Sequence, residues 1–154
     1  MLQIFPGGRL LIRALLLFLA CSLFAVATAS SADLRLKTGK AAFDRGDFPA
    51  AYKIFYQLLQ QQPGNPEIDF LLGRSAFEIG DYEAAIFAFE RVLIADPAAD
   101  RVRLELGRSY FEIGDLESAR SQFNRVLNNR PPLVVRQNIE RYLAQLEKVA
   151  SKHK

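Results

Sequence analysis

The chain carries one histidine, His153, and one cysteine, Cys21, in 154 residues. His153 is the penultimate residue, and no Ser–His or Cys–His relay can be assembled around it. Metal sites need clustered His, Cys or carboxylate ligands, and the sequence holds no such cluster. Glu78 and Asp81 lie close together, but they flank a glycine turn, where carboxylates cap helices and meet solvent rather than move protons. Gly80 and Gly114 are turn residues and belong to no phosphate-cradling loop. The chain therefore reads as a non-enzyme that needs neither cofactor nor metal. What recurs instead is the chemistry of recognition. Lys40, Arg74 and Arg108 form a cationic column, Phe43, Phe77 and Phe111 an aromatic one, and Asp44, Glu78 and Glu112 an acidic one. Leu36, Phe70 and Leu104 add an apolar column one helical turn earlier.

These columns have two readings. Each cation stands four residues before its acid, so the pairs could be intrahelical salt bridges, worth roughly 0.2–0.5 kcal/mol and less in this cation-first order. Alternatively they edge a groove for a protein or peptide. The apolar column favours the groove, because one wall would otherwise expose several large side chains to water. The expected contacts are Lys40, Phe43, Phe70, Arg74, Phe77, Leu104, Arg108 and Phe111.

The columns exist because the sequence repeats. "GRSAFEIGD" at 73–81 returns as "GRSYFEIGD" at 107–115, an offset of 34 residues, and "GKAAFDRGD" at 39–47 is a weaker copy in the same frame. A fixed period of this size signals a stacked array. Gly46, Gly80 and Gly114 each precede an aspartate, so one helix ends on a left-handed glycine and the next starts on an Asp cap. Gly39, Gly73 and Gly107, with Ala51, Ala85 and Ala119, allow close helix contact. Phe55, Phe89 and Phe123, with Leu59, Leu93 and Leu127, fill the seam. Pro63, Pro97 and Pro131 end each unit. The pattern predicts helices at 33–45, 48–61, 66–79, 82–94, 100–113 and 116–128, with ends uncertain by about two residues.

This 34-residue helix–turn–helix resembles the tetratricopeptide repeat, with the family's "LG" at Leu72-Gly73 and Leu106-Gly107. Repeat one departs with Thr38 before its glycine, and Asp69 and Arg103 stand where the family usually has an aromatic. The resemblance implies an all-α, right-handed α-solenoid. Its three repeats lie within 30–131, at 32–65, 66–99 and 100–133, followed by a capping helix at 132–150 and a basic tail at 151–154. Ile139, Tyr142, Leu143, Leu146 and Val149 would form the apolar face of that cap. In such arrays the first helix of each unit lines the concave surface. Family members often contact peptides through the equivalents of the cationic and apolar columns. Leu36 and Leu104 stand where the carboxylate clamp of chaperone-binding repeats requires lysine.

A narrower stretch, "RVRLELGR" at 101–108 and "PPLVVRQNIERYL" at 131–143, resembles the periplasmic repeat region of the surface lipoprotein assembly modifiers. These are outer-membrane proteins of Gram-negative bacteria, in which the cap helix leads into a β-barrel. The sequence ends at Lys154 without one. The resemblance implies an outer-membrane barrel or a lipoprotein as partner.

The first thirty residues differ from the rest. Arg9 and Arg13 precede an apolar run of 13 residues, "ALLLFLACSLFAV", and then "ATASSAD". A basic start, a short apolar stretch and small residues make a secretory signal peptide at 1–29, cut after Ala29, with Ala27 and Ala32 as alternatives. The run is short for a membrane span, which needs about 20 residues. No membrane insertion is expected once the leader is removed. "FLAC" is a poor lipidation site for Cys21, because Phe18 stands where an aliphatic residue is preferred. The full chain has 20 Lys+Arg and 17 Asp+Glu; two arginines leave with the leader, so 18 against 17 remain. Near neutrality, export and the acidic column argue against nucleic acid. The expected product is periplasmic and begins at Ser30, within about three residues, as intact mass after export should show. A diacylglycerol adduct on Cys21 would overturn a soluble product.

Overall fold

A computed structural model describes residues 31–152. The proposed leader, Cys21, Ala27, Ala29 and His153 lie outside the described residues. Residues 31–44 are helical and are called α1. Six helices follow: α2 (Phe48–Gln61), α3 (Pro66–Glu78), α4 (Tyr82–Ala95), α5 (Asp100–Glu112), α6 (Leu116–Asn128) and α7 (Leu133–Lys152). Their ends fall within two residues of the sequence reading. The described residues contain no strand, and the fold is an α-solenoid of three helical hairpins plus α7.

The turns inside the hairpins share one construction. Gly46, Gly80 and Gly114 have φ of 78°, 82° and 80°. The following aspartate's N–H donates back to Ala42, Ala76 or Tyr110 at 3.0, 2.9 and 3.0 Å, closing a Schellman-type turn. The same aspartate then caps the next helix. Asp47, Asp81 and Asp115 accept from the N–H groups of Ala50, Ala84 and Ser118 at 3.2, 3.1 and 3.0 Å.

Within each hairpin the seam is set by glycine and phenylalanine. Phe55, Phe89 and Phe123 are fully buried, as are Ala51, Ala85 and Ala119. A Cβ placed on Gly39, Gly73 or Gly107 would stand 2.6, 2.7 or 2.7 Å from a ring carbon of Phe55, Phe89 or Phe123, closer than real atoms approach. Hydrogen there is the only substituent that lets the ring lie on the backbone.

Asp69 and Arg103, which replace the family aromatic, tie together the two helices of their own hairpins by polar contacts. Asp69 is buried and accepts from Nε and Nη2 of Arg91, at 2.8 and 2.7 Å. Arg103 donates to Gln122 at 3.3 Å and to the Pro97 carbonyl at 2.5 Å. At the far end α7 buries Ile139 and Leu146, with Tyr142 and Leu143 half-buried beside the core of the last hairpin. Val149 stays 37% exposed, and α7 runs to Lys152, into the stretch read as a tail.

Gly73→Ala and Ala85→Leu should each cost roughly 1–3 kcal/mol by overpacking the seam. Gly80→Val adds a left-handed strain without any clash, because nothing lies near its Cβ direction. Thermal unfolding followed by circular dichroism should rank all three below the wild type. An unchanged Tm for Gly73→Ala would contradict the glycine–ring contact.

Candidate functional site

The inner wall is built from the first helix of each hairpin, α1, α3 and α5, and is continued by α7. The structure brings the expected residues together but pairs them differently from the sequence reading. Lys40 does not bridge Asp44; its Nζ lies 2.5 Å from Glu67, on the next hairpin. Arg108 does not bridge Glu112; it donates through Nη1 to Glu105 at 2.7 Å and through Nε to the Tyr142 hydroxyl at 3.1 Å. Of the three expected pairs only Arg74–Glu78 forms, at 4.0 Å, and Arg74 is equally distant from Glu105 on α5. An intrahelical i,i+4 pair with the cation first is weak, so Lys40 and Arg74 reach acids on the next hairpin, while Arg108 turns back to Glu105 on its own helix and across to Tyr142 on α7.

Those partners include aromatic faces. The Arg74 guanidinium lies 5.2 Å from the centre of the Phe43 ring, and that of Arg108 lies 4.5 Å from Phe77. Both distances are in the range of cation–π attraction. The third rung replaces the cation by an aromatic: Phe111 meets Tyr142 edge-on at 5.4 Å. Tyr142 also stacks on Phe123 at 5.2 Å. Each rung therefore joins an aromatic on one hairpin to the residue 31 positions later, and Tyr142 falls 34 residues after Arg108. Burial opposes the charge of Arg108, yet Glu105 and Tyr142 beside it hold its pKa above the ordinary value.

The apolar column completes the wall. Phe70 lies beneath Arg101 at 5.0 Å and touches Phe89 at 6.0 Å. Leu36 and Leu104 are half-buried against the first and last core clusters. Phe43, Phe77 and Phe111 are also half-buried, sharing their surface between core and groove. A pocket of about 300 Å³ opens between α5 and α7, lined by Phe111, Glu112, Asn138, Arg141, Tyr142 and Gln145. A second, of about 440 Å³, lies between Leu104, Val126, Pro131, Pro132 and Val135. The sequence did not point to Glu67, Glu105 or Arg101, and it placed Tyr142 only on the apolar face of the cap. Tyr142 alone carried a signal, its position in the 34-residue frame. Among the described residues no His, Cys, Asp and Glu group could hold a metal, and no helix is long and apolar enough to cross a membrane.

Two tetratricopeptide-repeat models match the chain, one over residues 10–66 and 70–133, the other over 42–97. The chain belongs to the tetratricopeptide-repeat family. No curated protein matches its sequence. Among solved structures it is similar to the Sgt2 repeat domain from Aspergillus fumigatus, with 20% identity, a TM-score of 0.69, and 80% of this chain and 84% of that one covered. It is similar to the first repeat domain of Spaghetti (RPAP3) bound to an HSP90 peptide, SRMEEVD, at 17% identity, TM-score 0.67, and coverage of 75% and 93%. It is also similar to the Yersinia enterocolitica type III secretion chaperone SycD, in complex with a peptide of the translocator YopD, at 17% identity, TM-score 0.66, and coverage of 79% and 94%. At these identities the likeness is one of fold.

Because the phenylalanines are shared with the core, Phe77→Ala should cost about 1–3 kcal/mol, below the range for a fully buried ring. Arg74→Gln should cost less, because the two ion contacts of Arg74 are both at 4.0 Å. Chemical denaturation of both variants checks this order.

Proposed function

We propose that this protein binds an extended protein or peptide segment along the inner wall of its solenoid. The carrying observation is the row Leu36, Phe43, Phe70, Phe77, Leu104 and Phe111, which runs over three successive hairpins and keeps part of its apolar surface open to solvent. A rigid, preformed wall of this kind binds without first being ordered. Two structural neighbours are themselves bound to peptides, which supports the same use of the fold here. Lys40, Arg74 and Arg108 edge this wall as proposed contact residues.

The basic, apolar and small-residue start supports export to the periplasm, although the family match begins at residue 10, inside that start. Cleavage after Ala27 or Ala29 leaves α1 whole from residue 31, whereas cleavage after Ala32 removes a residue packed in the first core cluster. The first two are therefore the better sites. In that compartment the partner would be an outer-membrane barrel or a lipoprotein in transit, as the narrower resemblance implies.

A second reading uses a different surface. Leu133 and Val134, at the start of α7, are 66% and 73% exposed. If the chain is the repeat region of a split assembly modifier, α7 would dock a separately encoded barrel through these residues.

The two surfaces separate by mutation. Phe77→Leu with Phe111→Leu keeps bulk in the core but removes the rings, and should abolish capture of the partner from periplasmic extract. Leu133→Asp with Val134→Asp should leave capture intact. Circular dichroism confirms that each variant is folded. The reverse pattern would move the function from the groove to α7.

A further inference from the structure

The arginine column suggests a wall that attracts anions, but the structure already turns these cations onto partners of the protein itself. Arg74 and Arg108 lie over Phe43 and Phe77 and both face Glu105, Arg108 at 2.7 Å and Arg74 at 4.0 Å with its Nε buried and unbonded, and their side chains are 23% and 29% exposed. Lys40 is held by Glu67. Arg101 lies over Phe70, and Arg141 donates to Asn138 on its own helix. An incoming carboxylate would have to draw a guanidinium away from an aromatic face and from Glu105.

The acidic column is in the opposite condition. Asp44, Glu78 and Glu112 end α1, α3 and α5 at exposed positions, one per hairpin. The only salt bridge among them is the 4.0 Å contact of Glu78 with Arg74. Next to them, Ile79 and Ile113 are 39% and 41% exposed. The capping aspartates Asp47, Asp81 and Asp115 follow, and Arg45 is the one cation in the three turns. One edge of the groove is thus a periodic strip of carboxylates and exposed aliphatic side chains, beside the aromatic row.

We infer that the groove selects a cationic segment, in which lysines or arginines alternate with aliphatic residues. The ligand's cations meet Asp44, Glu78 and Glu112, and its aliphatic side chains lie on Ile79, Ile113 and the phenylalanine row. This rests on the inner wall being the binding surface. It is not a reflection of overall charge, because 18 Lys+Arg against 17 Asp+Glu remain once the leader is removed, and that balance by itself favours neither sign of ligand.

Two fluorescein-labelled synthetic peptides test it: one alternates leucine and lysine, the other leucine and glutamate, each of about 12 residues and roughly 40 Å when extended. Fluorescence anisotropy with the purified protein should show the lysine peptide binding at least about tenfold more tightly at low salt, with the difference shrinking as salt rises. The variant Asp44→Asn, Glu78→Gln, Glu112→Gln should lose that preference. Its Tm should hold, since its changes are at exposed side chains. Tighter binding of the glutamate peptide overturns the inference and leaves the groove standing. An undiminished preference in the folded triple variant overturns it as well. Failure to bind either peptide overturns the groove and this inference together.

Discussion

A phenylalanine ring resting on a glycine backbone determines the spacing of every hairpin. Because Gly39, Gly73 and Gly107 leave no room for a methyl group against Phe55, Phe89 and Phe123, the two helices of each unit meet at one distance and one rotation. That rotation decides which residues face the groove. The contact also reaches the groove directly: Phe89 touches Phe70, and Phe123 stacks on Tyr142. The aromatic wall is thus supported from behind by the same rings that close the hairpins.

The helices were legible in the sequence because their punctuation is local and recurs in each unit. Glycine followed by aspartate has one favourable geometry at a helix junction, and the structure uses both residues in that way three times. The charge pairing was not legible. A lysine or arginine four residues before an acid is the obvious local pair, yet it is too weak to compete with an aromatic face on the hairpin before and a carboxylate or hydroxyl elsewhere in the stack. Those partners lie 27 to 34 residues away, at Glu67, Glu105, Phe43, Phe77 and Tyr142. Their meeting depends on how hairpins stack, which no single helix encodes. The Asp69–Arg91 pair, formed within one hairpin, was hidden for a different reason: each residue alone reads as a surface charge, yet Asp69 is buried.

The last helix closes the core and the groove at once. Ile139 and Leu146 cover the apolar edge of the third hairpin, and Glu147 pairs with Arg120 at 2.6 Å on the same interface. One turn along, Tyr142 enters the position that a fourth cation would occupy and meets Phe111. Cover for the core and completion of the wall therefore come from adjacent turns of α7. The pocket between α5 and α7 exists only because the cap contributes Asn138, Arg141, Tyr142 and Gln145 to it.

The ladder of rungs also bears on how such a chain can lengthen. The middle hairpin carries Arg74, which reaches back to Phe43, and Phe77, which receives Arg108. Duplicating its 34 residues in tandem would supply a cation and a ring together, so the new unit would join the aromatic ladder on both sides, with Leu71 of the copy in the register of Glu105. Tyr142 differs in this respect, for it accepts the hydrogen bond of Arg108 and brings no cation of its own. In evolutionary terms the interior is open to insertion, and the tyrosine marks where growth stops.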